Sequence, residues 1–475
     1  MKLGTILNRG AALVCASALV MGACSSDAPA AKTTTAAVTN VSDAPTPTDA
    51  DATATSDAPT PTDAAVTTDA PTPTDPPATD PPAVTLLEGL TDNGPCDAAL
   101  PTVDLAITTT FDAGVLQLKQ QVDASEAAIK AFNGRGGIGG RCMSMTSCDD
   151  KADPNIAADC ARQTIESGAV ATINDTTSAG DAAVSALYVA ANMARVGQSP
   201  GSPDLNAPVS YNLGGGGVGT TMMMLPPLFK AGKTKIAAIH VDLPAFAAFL
   251  PILETIVKAN GAEMVATIPV PAGTTNFDQF ILAAQDAGAD GVFLPLGAEL
   301  AVPVLKAAGE LDVDMLFATS LGSLSEADVV GLGDIGKKMV FNAETPPSTD
   351  ADTNPAVAQI IADFKEFGGD SLAADQLKSS GQRSWLAVYA FVTIMSATDT
   401  ENITRESVIA AMNAATDVPM LGLTPPWTPN QASPGAFTRI SNGAYWTAGW
   451  DGTKFTTDPE QSSLIDVLKS SGLGG

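Results

Sequence analysis

The spacing of apolar positions divides the chain into two unlike parts. Between residues 25 and about 85 there is neither a two-residue nor a 3.6-residue period. The segment is dominated by Ala, Thr, Pro and Asp, and the unit Ser-Asp-Ala-Pro-Thr-Pro-Thr-Asp-Ala occurs at Ser42 and again at Ser56, with a variant from Thr68. Such a composition buries too little apolar surface to offset chain entropy and predicts a disordered linker. Proline keeps it extended, so roughly 60 residues at about 3.1 Å each reach nearly 190 Å, enough for a spacer through a cell-wall layer. From about residue 95 short apolar runs alternate with amphipathic stretches. This pattern predicts strands at 103–108, 142–148, 170–174, 235–240, 264–269, 291–296 and 315–319. Helices are predicted at 115–132, from Pro154, and at 180–192, 246–260, 277–287 and 300–311, with Asp153-Pro154-Asn155 supplying capping chemistry. Repeated βα units imply an α/β class with parallel sheets flanked by helices, and roughly 380 residues exceed what one hydrophobic core holds. Two lobes are therefore expected. The rhythm breaks at 211–221, 343–355 and 423–434, which reads as three crossings between them.

The N-terminus changes the picture first. Lys2 and Arg9 flank the start of an apolar run over 11–21, too short to span about 30 Å of hydrocarbon and suited to a signal peptide. It ends in Met21-Gly22-Ala23-Cys24, which resembles the bacterial lipobox, with Met21 where Leu is more usual. That resemblance implies a lipoprotein signal peptide at 1–23 and a lipidated Cys24 that anchors the linker, 24–85, to a membrane. The alternative is ordinary signal cleavage beside an incidental cysteine. Loss of Lys2 and Arg9 takes the formal net charge from −28 to about −30. Such acidity argues against nucleic acid as a partner. Of six cysteines, Cys15 leaves with the signal and Cys24 takes lipid, so Cys96, Cys142, Cys148 and Cys160 remain for disulfides in an exported protein. Cys142 and Cys148 sit at opposite ends of one predicted strand, too far apart to bond each other. Cys96–Cys142 with Cys148–Cys160 is the favoured pairing, although the spacing alone leaves the connectivity open. A metal site lacks both CxxC pairs and a nearby histidine, and no metal or other cofactor is expected.

The run Asn133-Gly134-Arg135-Gly136-Gly137-Ile138-Gly139-Gly140-Arg141, then Asp149 to Asn155 and the helix after it, resembles the type I periplasmic binding proteins, specifically the branched-chain amino-acid (Leu/Ile/Val) receptor family of ABC transporters. The similarity continues through Lys235 to His240, Gly261-Ala262-Glu263, Asn276-Phe277-Asp278 and Ala287 to Val292, and covers about 100–460. It implies two Rossmann-like lobes joined by three crossover strands and closing over a solute. The domain is then 95–460, with lobe 1 at 95–213 and 343–436, lobe 2 at 214–342 and 437–460, and a C-terminal tail at 461–475. Matched onto this sequence, first-lobe ligand contacts fall on Thr110 and Phe111, on Asp175, Thr176, Thr177 and Ser178, and on Ser199; second-lobe contacts fall on Phe246, Glu299 and Ser320. The hydroxyls of Thr176, Thr177 and Ser178 would receive a carboxylate, or else merely cap the helix from Gly180. Where the family's amino-acid binders place acids for the ammonium, this sequence has Gly216 and Ser320. An amino acid is then held only if Asp112, Asp175 or Glu299 substitutes; a hydrophobic carboxylate or an amide is equally open.

Catalytic motifs fare poorly. Gly214-x-Gly216-x-x-Gly219 with Asp242 approximates a dinucleotide fingerprint, but an unbroken glycine run at an expected crossing reads better as a hinge. His240 is the single histidine, which leaves no His-based triad; the family it resembles has a histidine at this strand end too, which implies a structural or cleft-edge role. Met222-Met223-Met224 reads as core at a helix start, and Trp385 with Tyr389 shares one helix face, toward core or cleft. The expected function is a lipid-anchored extracytoplasmic receptor, read as a monomer, that delivers a small-molecule solute to an ABC permease without chemistry. A sensing receptor is the alternative, and an exported enzyme a more distant one.

Overall fold

A computed structural model describes residues 86–474, except Val115, Ser178, Pro200, Ser202, Pro434 and Ala436. The signal peptide, Cys24 and the linker lie outside the described residues. Five strands, β1 (Val103–Thr109), β2 (Met143–Asp149), β3 (Ala171–Ile173), β4 (Ala194–Val196) and β5 (Ser210–Tyr211), form one parallel sheet in the order β2-β1-β3-β4-β5. A second sheet holds β6 (Lys235–Val241), β7 (Glu263–Val270), β8 (Gly291–Phe293), β9 (Leu316–Ser320), β10 (Met339–Ala343), β11 (Ala444–Trp450) and β12 (Phe455–Thr457) in the order β12-β11-β10-β9-β8-β6-β7, with β13 (Ser462–Ser463) paired to β11. Its strands are parallel from β7 to β10, whereas β11 to β13 extend it in antiparallel fashion. The architecture is the two-lobed α/β fold with three crossovers: the chain leaves the first sheet after Tyr211, returns after Ala343, and crosses again before Ala444.

Each lobe has its own core. In the first, the helices Lys119–Gly134, Pro355–Phe367 and Ser379–Ser396 cover the sheet. Trp385 and Tyr389 stack at 5.8 Å with planes 6° apart, and Phe132 tilts against Trp385 at 5.2 Å, so this pair belongs to the core and not to the cleft. The Trp385 Nε1–H donates to Asp363 at 2.7 Å, and the same carboxylate takes the Arg135 guanidinium (Nη1 to Oδ2, 2.9 Å). The glycine-rich turn is thereby tied to a helix more than 200 residues later in the chain. Within it Gly137 has φ +58°, and a Cβ there would meet the Arg141 carbonyl oxygen at 2.0 Å, which excludes a side chain. Asp153 caps the helix Pro154–Glu166 by accepting from the N–H groups of Asn155 (2.8 Å) and Ile156 (3.1 Å). In the second lobe Met222, Met223 and Met224 are buried with Leu225 and Leu228, where the helix Gly216–Met223 ends and the helix Leu225–Lys230 starts with Met224 as its N-cap.

Several elements differ from the apolar pattern. The first helix begins at Lys119 and not at 115, because the Leu118 N–H donates to the Thr110 carbonyl (3.0 Å) and folds the segment back on β1. Its apolar residues serve a loop wall. Residues 461–475, read as a tail, contain β13 and the helix Leu464–Ser470, whose Leu464 and Leu468 are buried in the second lobe. The fold also starts before residue 95, since Leu87 and Leu90 pack on the first core. The disulfides are Cys96–Cys142 and Cys148–Cys160, with Cα–Cα distances of 5.1 and 5.8 Å; one pins the entering strap to β2, the other ties β2 to the following helix. Replacing Cys148 and Cys160 together by serine is expected to lower unfolding free energy by about 3 kcal/mol, and the Cys96/Cys142 pair by about 1 kcal/mol more because its loop is longer. Urea denaturation of the two double variants measures both.

Candidate functional site

A cavity of 840 Å³ lies between the lobes at the carboxyl ends of β1, β8 and β9. In open parallel sheets ligands bind at this end. The first lobe contributes Phe111 and Asp112 after β1, the helix start from Gln117 to Asp123, and Ser371, Gln376 and Lys378 from the returning chain. Ala298 to Pro303, Ser325 and Asp328 face them from the second lobe. Gln120 braces the first-lobe wall: its Nε2 donates to the carbonyls of Ser371 (2.6 Å) and Gln376 (2.9 Å), and its Oε1 accepts from the Lys378 N–H (3.0 Å). The lobes also touch directly. The Ser379 N–H donates to Leu321 O (2.8 Å), the Ala327 N–H to Asp375 O (2.9 Å), and the Ser380 hydroxyl to Gly322 O (3.0 Å).

The residues expected at the site separate into two groups. Phe111 and Glu299 line the cavity, and the Lys119 ammonium sits 5.7 Å from the centre of the Phe111 ring. The others serve the scaffold behind it. Thr110 is buried and donates to Asp150 Oδ1 at 2.6 Å. Asp175 accepts from the Thr108 N–H at 3.0 Å and faces Arg195 Nε at 3.3 Å, while Arg195 Nη1 lies 2.6 Å from Asp204 Oδ1; all three are fully buried. Burial pushes the Asp175 carboxyl above its usual range despite Arg195. Burial also opposes the charge on Arg195, but Asp204 and Asp175 outweigh it and hold the guanidinium ionised. This triad is internal and offers no free carboxylate to a solute. Thr176 donates to Gln121 Oε1 (2.9 Å), Thr177 donates to Asp181, and Ser178 lies outside the described residues. Ser199 donates its N–H to the Asp175 carbonyl (3.0 Å), and the Ser320 hydroxyl accepts from the Gly322 N–H (3.0 Å). Phe246 stacks on His240, with centroids 4.1 Å apart and planes at 15°. Gln117, Gln120 and Lys378 were not anticipated. Lys378 falls beyond the motifs that carry the family resemblance, and the glutamines follow a loop that the periodicity merged with a helix.

The family model described as a periplasmic binding protein matches residues 109–445. The chain belongs to the periplasmic binding protein family. Solved structures agree on the type I fold. A fatty acid ABC transporter substrate-binding protein from Thermomonospora curvata is 15% identical, with 80% of this chain and 96% of that one covered and a TM-score of 0.65. A solute-binding protein of an ABC transporter from R. palustris, in complex with 4-hydroxybenzoate, is 16% identical over 76% of this chain and 97% of that one, at a TM-score of 0.63. A putative branched-chain amino acid ABC transporter from Rhodospirillum rubrum is 18% identical over 75% and 100%, at 0.54. No curated protein matches the sequence.

In this binding protein the glycine run occupies the junction of the crossings. A Cβ at Gly214 would lie 2.1 Å from Glu344 Oε1, so a side chain there would have to displace that carboxylate where the first and second crossings approach. The Gly215 N–H donates to the Tyr445 hydroxyl (3.1 Å), which brings in the third. Glu344 Oε2 pairs with Arg383 Nε at 2.8 Å, and Arg383 Nη1 donates to the Gly197 carbonyl at 3.0 Å. No cofactor is needed to account for these glycines.

His240 is buried, with Nδ1 2.8 Å from the Val241 carbonyl oxygen. Burial holds its pKa below the usual 6.5, against the opposing pull of that carbonyl and of Asp242. The native state therefore binds fewer protons than the unfolded chain below pH 6.5, so this contribution favours the fold at neutral pH and is lost as the pH falls through that window. His240→Gln is expected to show a smaller drop in melting temperature than the wild type between about pH 7 and pH 5. Parallel thermal melts across that range measure the difference; identical slopes would exclude the burial effect.

Proposed function

We propose that this periplasmic binding protein is the solute-capture component of an ABC importer. A small solute (an amino acid, an amide or a small carboxylate) enters the interlobe cleft, the lobes close on it, and the closed form delivers it to a membrane permease. The observation that carries this reading is the 840 Å³ cavity, which draws its walls from both lobes at the strand ends, above a junction where three crossings meet. Wall groups from opposite lobes approach one solute together only when the lobes are closed, so occupancy and closure are coupled. The printed descriptions of the relatives, which name 4-hydroxybenzoate, fatty acid and branched-chain amino acid, fit a scaffold that accepts varied small solutes. The signal peptide, the lipid on Cys24 and the proline-rich linker complete the proposal: a monomeric receptor held extracytoplasmically at the membrane, free to search above it.

Mass spectrometry of material released on denaturing the purified protein is expected to identify a small solute. Adding that solute at about a hundred times its Kd should stabilise the fold by roughly 2.7 kcal/mol. If nothing is released, and a thermal-shift screen of amino acids, amides and short carboxylates yields no stabiliser, the capture reading fails. Separately, Cys24→Ala should move the exported protein from the membrane fraction to the soluble one, because the acyl chains supply the membrane affinity. A variant that stays with the membrane would exclude Cys24 as the anchor.

A further inference from the structure

A further cavity, of 580 Å³, lies on the first lobe and shares no lining residue with the cavity between the lobes. Lys119 at the cleft and Phe132 here belong to the same 16-residue helix, so about 20 Å of helix separates the two. Three segments distant in the chain wall it: the strap from Gly89 to Pro95, the glycine-rich turn, and the far half of the helix Ser379–Ser396. These walls are tied together. The Asn93 N–H donates to the Arg135 carbonyl (3.2 Å), the Cys96 N–H to the Asn133 carbonyl (2.8 Å), and Cys96–Cys142 pins the strap. Leu90, Phe132 and Val392 give the cavity an apolar floor, and its volume falls in the range of about 300–1,000 Å³ usual for small-molecule sites.

Its polar groups are donors. The chain has a formal net charge of −28, yet Arg135 is the one charged residue among the described lining residues. The Arg135 guanidinium lies over the Phe132 ring, 5.6 Å from its centre. Asp363, buried behind it, takes two of its five N–H groups and also accepts from Trp385 (2.7 Å) and Gln359 (2.9 Å). The other three N–H groups have no partner among the described residues. On the far side of the same ring stands Tyr389, 6.3 Å from it between ring centres and 2% exposed. Burial pushes the Tyr389 hydroxyl above its usual range, and its side-chain partner is the Thr393 hydroxyl, one turn on and also at the cavity. One hydrogen bond between two hydroxyls uses one proton of two, so an O–H donor is left beside an apolar floor and calls for an acceptor.

Water alone would satisfy these donors and leave the floor wet. An apolar molecule would cover the floor and strand the donors, and a cation would confront Arg135. A molecule with an apolar body and one anionic end meets both demands. We infer that this cavity is a second ligand site, for an amphipathic monocarboxylate whose carboxylate lies on the outer edge of Arg135, with the Tyr389–Thr393 hydroxyls as further donors, and whose body lies on Leu90, Phe132 and Val392. The site stands independently of solute capture in the cleft, and the receptor can hold both molecules at once.

Octanoate, octan-1-ol and octylamine, titrated calorimetrically into the full exported chain, test this. Octanoate is expected to bind roughly tenfold or more tighter than either of the others, because it alone makes charge-assisted hydrogen bonds to Arg135. Thr393→Trp, which fills the cavity, should weaken octanoate at least about tenfold, and Tyr389→Phe, which keeps the ring stacked on Trp385, by about threefold to tenfold. Ala298→Trp fills the cavity between the lobes instead and should leave octanoate affinity unchanged. Hydrogen exchange with octanoate present should slow at 89–95 and 389–397, and this map decides the matter if Thr393→Trp does not fold. Octylamine binding as tightly as octanoate, or no octanoate binding at millimolar concentration, overturns the proposal. So does octanoate binding that survives Thr393→Trp and is lost in Ala298→Trp, or protection confined to 298–303, since either places octanoate in the cleft; the capture reading then stands.

Discussion

The cleft exists because three chain crossings are held at one buried junction. The Glu344 carboxylate sits where the second crossing leaves β10, pairs with Arg383 on a first-lobe helix, and packs against Gly214 in the first crossing. Tyr445, at the third, accepts from Gly215. Breaking such a pair by removing one partner strands a buried charge, at a cost of about 3–5 kcal/mol, so the junction constrains the lobes strongly. Glycine suits the first crossing because a Cβ at Gly214 would displace the Glu344 carboxylate. The strand ends of the two lobes face each other across the cavity beside it.

Around the junction, the polar groups of the first lobe divide between those paired behind the cavity and those lining it. Asp175, Arg195 and Asp204 form a closed internal network, and Thr110, Thr176 and Thr177 spend their hydroxyls on neighbouring side chains. These residues shape the loops behind the cleft. A second set, on helix starts and on the returning chain, lines the cavity, where Gln120 holds the segment from Ser371 to Lys378 with three hydrogen bonds. One amide thereby holds a wall built from residues about 250 positions apart.

Much of the fold was legible from local pattern. The strands from β1 to β3 and from β6 to β9 follow apolar runs bounded by turn chemistry, and Asp153-Pro154 starts its helix as its residue types require. The two-residue β5 and the three-residue β4 were too short to announce themselves, since their pairing rests on neighbours in the sheet. The C-terminal helix was missed because its seven residues are stabilised by Leu464 and Leu468 against the second core and not by length. The candidate site was less legible. Phe111 and Glu299 lie directly after strands and before or within helix starts, where a βα reading looks for them. Lys378 and Gln120 carried no local signal, because a lysine before a helix and a glutamine within one are ordinary surface residues until packing places them at a cavity.

What this sequence determined by itself is what depends on neighbours along the chain: alternation of strand and helix, turn and cap chemistry, two lobes' worth of apolar residues, and cysteines spaced for bridging. Only the tertiary structure decided which polar groups are already paired. Asp175 and Glu299 are both acids that follow a strand, yet one is paired with Arg195 inside the first lobe and the other lines the cavity with no partner among the described residues. Whether a charge is available to a solute depends on what distant segments bring within about 4 Å of it, and that is a property of the folded chain and not of its local order.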